Sequence, residues 1–137
     1  MKIRYIISEN WEPELITEIV QAAAYAANYF RLEGRCVIKL INTSDTDEAT
    51  CEKLKSKRYE VRIARNRLDK EPLRAIFHEL THIKQYAKDG LKFVNGCWQF
   101  RGEPYDTVFN LENYLLSPWE MEARAMEEAL MLMYEDS

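Results

Sequence analysis

The sequence lacks the cysteine pattern of two well-known classes of small protein. Its three cysteines, Cys36, Cys51 and Cys97, are odd in number and widely spaced, and no two of them form a CxxC pair. This excludes a disulfide framework and a structural zinc knuckle, so we expect reduced, mostly buried thiols. Among the three, Cys97 is the least improbable metal ligand.

The sequence also lacks long apolar segments. No apolar run approaches the ~20 residues that span a bilayer, and residues 1–9 turn acidic without the apolar segment and cleavage site of a signal peptide. The chain has 137 residues, of which 47% are hydrophobic and 31% charged. These values are typical of a soluble globular protein. We therefore expect one cytoplasmic domain over residues 1–137, with no membrane partner.

A strongly basic composition is absent as well. The net charge is −4, which excludes a chain that binds nucleic acid over its whole surface. Basic residues nevertheless cluster in the middle of the chain. Most such runs are solvated faces, but a local patch that faces a phosphate backbone or an acidic partner stays open as an alternative. The cluster consists of Lys53, Lys55, Lys57, Arg58, Arg62, Arg65, Arg67, Lys70 and Arg74.

Histidine is scarce, and its two occurrences lie in one five-residue window. His78 and His82 form an HExxH pattern with Glu79. On a helix, residues four apart lie on the same face, so both imidazoles can bind one metal ion. Glu79 stays near that ion and can take a proton from bound water. The alternative is an amphipathic helix that shows two histidines by coincidence.

The apolar pattern predicts an α+β fold, in which helices pack on a small, mostly antiparallel sheet and the histidine helix is central. The first half of the chain is predicted to contain a strand over 2–7, a helix with Ser8 or Asn10 as cap and Gly34 as terminator, and a strand over 36–41. A loop over 42–48 and two hairpin strands, over 49–53 and 57–65, are predicted to follow. The second half is predicted to contain a helix over 70–88, a short strand or ordered loop within 90–103, and a last helix from Pro118.

The strand over 57–65 has a charged outer face, opposite an apolar face formed by Tyr59, Val61 and Ile63. Charges of this kind suit an edge strand, because they discourage unwanted pairing. If this strand borders a cleft, its backbone could align an extended peptide.

The histidine helix is predicted to begin after a cap at Asp69 and to end at Gly90. Its core stripe is predicted to contain Leu73, Ile76, Phe77, Leu80 and Ala87.

Two histidines alone do not complete a catalytic metal site, because such a zinc typically has three protein ligands. The third ligand must be a carboxylate, a thiol or a residue of another chain. Gln85 and Lys88 occupy the positions where HExxHxxGxxH requires Gly and His. The helix that begins at Pro118 offers Glu120 and Glu122, and helical periodicity alone turns Glu122 inward.

The segment FHELTHIKQY, residues 77–86, together with PWEMEA, residues 118–123, resembles the zincin metallopeptidases of the glutamate-ligand (gluzincin) kind. It is most similar to the small phage and bacterial minimal zincins described as SprT-like or ImmA-like. The resemblance implies one zinc ion per chain, bound by His78, His82 and Glu120, with Glu79 as general base. The E-x-x-A spacing of the family selects Glu120. Related families often place Asp four residues later, where this chain has Arg124.

The resemblance also implies an activity: hydrolysis of peptide bonds by zinc-activated water, on a specific peptide or protein substrate. A donor to the tetrahedral oxyanion is then needed. The candidate donors are Tyr86, Arg101, Tyr105 and Tyr114. Two alternatives stay open, a metal-binding interaction module without peptidase activity and a nucleic-acid-associated, SprT-like protein that uses the basic stretch.

Overall fold

The computed structural model describes residues 1–42, 49–64, 72–105 and 111–137. Within these ranges the element order is β1 (Lys2–Ile7), α1 (Pro13–Tyr29), β2 (Arg35–Ile41), β3 (Ala49–Lys55), β4 (Arg58–Ala64), α2 (Pro72–Lys88), β5 (Lys92–Val94), β6 (Cys97–Phe100), β7 (Glu103–Tyr105), α3 (Leu111–Leu116) and α4 (Pro118–Glu135). The predicted α+β class is confirmed for this part of the chain. None of the helices described here is both long and apolar enough to cross a membrane.

The larger sheet has the strand order β1-β2-β4-β3. β1 pairs with β2 and β2 pairs with β4 in parallel, and only β3 and β4 are antiparallel. The prediction of a mostly antiparallel sheet is therefore wrong for this sheet, which is mixed. β1 and β2 can be parallel because the chain crosses from one to the other through α1, and parallel neighbours need a long connection of this kind. The second sheet, β5-β6-β7, is antiparallel throughout.

Strand β4 lies inside the sheet, between β2 and β3. The prediction that it is an edge strand is wrong, and its outward charges have another role. Glu60 forms an ion pair with Lys39 of β2 at 2.7 Å and a hydrogen bond with Arg62 at 3.1 Å. The charge of Glu60 is therefore balanced by one cation on the neighbouring strand and by one on its own strand. The edge strands of this sheet are β1 and β3.

The core lies between the larger sheet and the helices. The predicted inward residues of β4, Tyr59, Val61 and Ile63, are buried. Helix α2 packs against α1, β3 and α4, so it is central, as predicted. Its residues Ile76, Phe77, Leu80 and Ile83 are fully buried, and Leu73 packs against the core at partial exposure. Ala87 was wrongly placed in this stripe: it lies in the last turn of α2, and its side chain is exposed.

The ends of the helices differ from the predicted ones. Residue Glu12, not Ser8 or Asn10, is the N-cap of α1, and the helix ends at Tyr29, well before Gly34. Gly34 instead precedes β2 with φ 93°, where a Cβ atom would lie 2.2 Å from the carbonyl oxygen of Lys57. Positions 43–48 of the predicted loop over 42–48, and the predicted cap of the histidine helix at 69, lie outside the described residues.

Candidate metal site

Helices α2 and α4 pack against each other and bring the two predicted motifs together. His78 and His82 lie one turn apart on α2, with ring centroids 4.9 Å apart. Glu120 lies in the first turn of α4, which begins at Pro118 after the N-cap Ser117. Because proline fixes the backbone at the start of a helix, the position of Glu120 is well defined.

The carboxylate of Glu120 lies between the two imidazoles. Its Oε2 atom is 3.0 Å from Nε2 of His78, and its Oε1 atom is 2.9 Å from Nε2 of His82. Glu120 and His82 are buried, at 4% and 7% exposure. One carboxylate and two imidazole nitrogens therefore converge on one buried point.

The outward nitrogen of His78 is held by Glu127. The Nδ1 atom is 2.8 Å from Oε1 of Glu127, a residue in the middle of α4. A carboxylate can only accept, so Nδ1 carries the hydrogen. This contact fixes the tautomer in which the lone pair of Nε2 is available for a metal once Nε2 loses its proton.

The outward nitrogen of His82 is held by Gln85. Its Nδ1 atom is 2.8 Å from Oε1 of Gln85. The amide nitrogen of Gln85 donates to the carbonyl of Trp119 at 2.8 Å and to Glu122 at 3.1 Å. Both of these partners are acceptors, which fixes the orientation of the amide, and Nδ1 of His82 is therefore the donor.

Sequence reasoning missed Glu127 and Gln85 as site residues, although the signals were present. Glu127 follows Glu120 by seven residues, two turns along the same face of α4. Gln85 follows His82 by three residues on α2, again on one face. Arg124 stands where related families often place Asp, and its guanidinium contacts the carbonyl of Leu115. The contact with His78 comes instead from Glu127, one turn further along α4.

The pKa values in the metal-free protein follow from these contacts. Burial opposes ionisation of Glu120, but hydrogen bonds from His78 and His82 outweigh it and lower its pKa to about 2. Burial likewise works to lower the pKa of His78, yet Glu120, Glu127 and the charge of Glu79 raise it to about 9. The pKa of His82 is raised for similar reasons, against the effect of burial. These carboxylates and imidazoles form a network of ion pairs between α2 and α4.

The same residues fit a metal ion. His78, Glu79 and His82 each offer a ligand atom, and these atoms lie within 4.8 Å of one another. The predicted metal-binding HExxH group is confirmed to this extent. Two imidazole nitrogens and carboxylate oxygens form a donor set that suits zinc and other first-row divalent ions. The two Nε2 protons that face Glu120 are the ones that such a cation would replace.

A cavity of about 670 Å³ opens beside these residues, and Glu79, His82 and Glu120 lie in its wall. Glu79 itself is 4% exposed. The lining of the cavity also includes Ala49, Thr50 and Cys51. Because these residues belong to the edge strand β3, the strand that borders the cavity is β3 and not β4, the strand considered for this position from the sequence.

Three of the four candidate oxyanion donors line the cavity, namely Tyr86, Tyr105 and Tyr114. Burial and the hydrogen bond with Glu120 are among the causes that raise the pKa of Tyr114. Its hydroxyl is therefore a neutral donor next to the site. Arg101 is engaged elsewhere, with Glu122 at 2.5 Å and Asp89 at 3.7 Å.

Glu122, the rival of Glu120, points away from the two imidazoles. Its side chain is 22% exposed and binds Lys84 at 3.2 Å and Arg101 at 2.5 Å, in addition to Gln85. Glu122 thus contacts the site only through Gln85.

The three cysteines are free. Cys97 donates a hydrogen bond to the carbonyl of Tyr105 at 3.0 Å, within the small sheet. Burial raises the pKa of Cys36 to about 12, and burial also raises the pKa of Cys51, which lines the cavity. Cys36 and Cys51 are therefore protonated thiols at neutral pH. The expectation of mostly buried thiols holds for Cys36, whereas Cys51 and Cys97 are only partly buried.

The basic stretch is partly neutralised by acidic neighbours. Ion pairs join Lys57 to Glu33 at 3.3 Å, Arg62 to Glu60 at 3.1 Å, and Arg74 to Glu128. Positions 65, 67 and 70 lie outside the described residues.

Comparisons with protein-family models, with curated proteins and with solved structures found no match for this chain. The case for its function therefore depends on the geometry of the site.

Proposed function

We propose that the protein is a zinc-dependent metallopeptidase of the zincin kind, in which His78, His82 and Glu120 bind zinc and Glu79 is the general base. The observation that carries this proposal is the position of Glu120, whose two oxygens face the inward nitrogens of both histidines. The outward nitrogens are already held by Glu127 and Gln85. Such outer contacts orient imidazole ligands in metal sites.

The choice of third ligand favours Glu120 over its two rivals. Glu122 is bound to Lys84, Arg101 and Gln85, on the far side of the amide from His82. Glu79 is close enough to serve as a ligand, but it also lies in the wall of the cavity where a substrate would bind. Three ligands from His78, His82 and Glu120 leave Glu79 available for proton transfer, and a catalytic zinc typically has three protein ligands.

The bound zinc would lower the pKa of water and polarise the scissile carbonyl. Glu79 takes the proton of the attacking water and delivers it to the leaving amine. Tyr86, Tyr105 and Tyr114 line the cavity, and each is a candidate to donate to the oxyanion. The backbone of β3 borders the cavity, so an extended peptide substrate, as part of a specific protein partner, can pair along this edge.

The metal site is tested by elemental analysis of purified wild type and of the matched variants Glu120→Ala and Glu122→Ala. We expect about one zinc per chain in wild type, loss of zinc in Glu120→Ala, and retention in Glu122→Ala, which removes the contact with Gln85 and the ion pairs with Lys84 and Arg101 but no proposed ligand. Absence of metal in wild type after zinc supplementation would overturn the proposal. Loss only in Glu122→Ala would overturn the ligand assignment.

The reaction is tested with Glu79→Gln, which keeps the shape of the side chain but cannot act as a base at neutral pH. We expect this variant to retain zinc and lose turnover of a protein or peptide substrate. Undiminished turnover would exclude the mechanism. Zinc binding without turnover in wild type, over a broad peptide library, would favour the alternative of a metal-binding module.

A further inference from the structure

One wall of the cavity is aromatic. Trp119 immediately precedes Glu120 on α4, and its ring contacts Trp98 of β6 at a centroid distance of 5.8 Å and Tyr105 of β7 at 5.4 Å. All three rings line the cavity, and each is only partly buried. Phe100, which is buried, supports Trp119 from another side at 5.9 Å. These rings are packed against one another while one side of the group stays open to the cavity.

The backbone that carries the aromatic wall is bound to the candidate metal site. The carbonyl of Trp119 accepts the hydrogen bond from Gln85, the same amide that holds His82. The wall and the candidate metal site are therefore joined by one buried side chain. A ligand group seated on the wall would lie at a set position relative to the reacting atoms, and such positioning is what catalysis requires.

Charge is confined to one end of the cavity. Apart from His82, Glu79 and Glu120, the lining side chains among the described residues are uncharged. The nearby cations Lys84 and Arg101 form ion pairs with Glu122 and Asp89. An anionic group on the aromatic wall would lose water without gaining an unpaired cation in return, which is costly. A cationic group would be attracted by the faces of the rings, but the carboxylates in the lining, Glu79 and Glu120, are assigned to the metal site, so it too would lack a free counter-charge.

We propose that the wall formed by Trp98, Tyr105 and Trp119 is a binding subsite for a large uncharged side chain of a peptide, aromatic in preference to aliphatic. The proposal rests on the proposed function for the identity of the ligand as a peptide and names the side-chain class that the cavity selects. Aromatic groups stack well on aromatic walls and bury a large apolar area. Hydrophobic and aromatic side chains are the predominant lining of ligand cavities.

Binding can be measured without turnover by following the tryptophan side chains, because one of them lies away from the cavity and serves as an internal control. Of its three tryptophans, Trp98 and Trp119 line the cavity, whereas Trp11 is buried elsewhere in the core. The three indole N–H signals are followed by NMR in the Glu79→Gln variant, with zinc and again with a chelator. The probes are end-blocked hexapeptides that differ at one central residue: Phe, Leu, Ala, Glu or Lys.

We expect the Phe peptide to shift the signals of Trp98 and Trp119 and to leave Trp11 unchanged. It should bind at least about 10-fold more tightly than the Ala peptide, since one methylene in an apolar pocket is already worth about 10-fold or more. The Glu peptide should bind no better than the Ala peptide, and the Lys peptide, despite its attraction to the ring faces, should bind more weakly than the Phe peptide. Equal binding of all five peptides, strongest binding of Lys or Glu, or a shift of Trp11 equal to the others would overturn the proposal.

A matched pair of variants tests the wall itself. Trp98→Leu removes a ring of the wall, whereas Gln99→Leu changes its neighbour in β6, which lies outside the cavity lining. We expect Trp98→Leu to reduce the preference for Phe over Ala about 10-fold and Gln99→Leu to leave it unchanged. If Trp98→Leu does not fold, Tyr105→Leu provides the same test from β7. An unchanged preference in the folded wall variant would exclude the subsite.

The two proposals fail differently. If the protein has no peptidase activity, the indole shifts with the Phe peptide still appear, and the subsite stands as a binding site. If wild type cleaves peptides with no preference for a large apolar side chain and without shifts at Trp98 and Trp119, the subsite is excluded and the peptidase stands.

Discussion

Glu127 shows how a single carboxylate outside the motif can control the metal site. It accepts the hydrogen bond from Nδ1 of His78 at 2.8 Å. We predict that Glu127→Ala weakens zinc binding about 10-fold to 100-fold, the usual effect of removing an outer partner of a metal ligand. The dissociation constant is measured by competition with a chelator, and ¹⁵N chemical shifts report the tautomer of His78.

The neighbouring Glu128 provides the control for this prediction. It pairs with Arg74 and its side chain is 61% exposed. Glu128→Ala should leave both the zinc affinity and the His78 tautomer unchanged. Equal losses in the two variants would mean that the acidic face of α4 acts only through its overall charge, and Glu127 would have no positioning role.

At this scale, the sequence could predict the histidine pair but could not choose between Glu120 and Glu122. The HExxH spacing is local, and helical geometry places both imidazoles on one face. Helical periodicity favoured Glu122 because it shares a side of the helix with Trp119, Met126 and Met133. Met126 and Met133 do pack against the core, but at Trp119 the same side of the helix faces the cavity, and Glu122 there binds Lys84 and Arg101. The choice depends on how α4 lies against α2, which no local pattern encodes.

At the scale of elements, the site depends on the close packing of α2 and α4. Ala123 is fully buried in α4, one turn after Glu120, whereas Ala125 is exposed on the same helix. We predict that Ala123→Leu lowers the free energy of unfolding by about 1–3 kcal/mol through overpacking. It should also weaken zinc binding, because it moves Glu120 away from the histidines.

Urea unfolding and chelator competition measure the two effects of Ala123→Leu. The control Ala125→Leu should change the free energy of unfolding by no more than about 0.5 kcal/mol, as is usual at exposed positions. If Ala123→Leu lowers stability while zinc affinity stays at the wild-type value, the distance between α2 and α4 does not control the site.

Gly34 joins two elements of the larger sheet. It has φ 93°, and a Cβ atom there would meet the carbonyl oxygen of Lys57, in the β3–β4 turn, at 2.2 Å. We predict that Gly34→Ala costs more than the roughly 1–3 kcal/mol of the backbone conformation alone. Gly96→Ala is the matched control, because its φ is 76° and a Cβ atom there would meet no atom of the described residues within 4 Å. Similar losses in chemical denaturation of both variants would contradict the contact with Lys57.

The sheet also shows why element types were easier to predict than their arrangement. The alternation of Tyr59, Val61 and Ile63 correctly indicated a strand with one buried face. Its charged outer face suggested an edge, but Glu60 pairs with Lys39 on the neighbouring strand β2. Cross-strand ion pairs and edge protection leave the same pattern in one strand. Only the pairing partner, distant in sequence, distinguishes them.

At the scale of the whole molecule, the metal site links segments that are far apart in the chain. Residues 78 and 82 come from α2, 120 and 127 from α4, and the two helices hold each other through the buried contacts of the site. Because the unfolded chain does not hold these side chains together, the zinc ion that we propose would bind the folded state preferentially. The free energy of zinc binding would then add to the free energy of unfolding.

We therefore predict that removing zinc lowers the melting temperature of wild type. At a free zinc concentration about 100 times the dissociation constant, linkage contributes about 2.7 kcal/mol, which for a chain of this size corresponds to a shift on the order of 10 °C. Thermal unfolding is followed with added zinc and with a chelator. Glu120→Ala should show almost no shift, whereas Glu122→Ala should keep most of it, since Glu122 contacts the site only through Gln85. A full zinc-dependent shift in Glu120→Ala would place the stabilising metal outside the centre formed by α2 and α4.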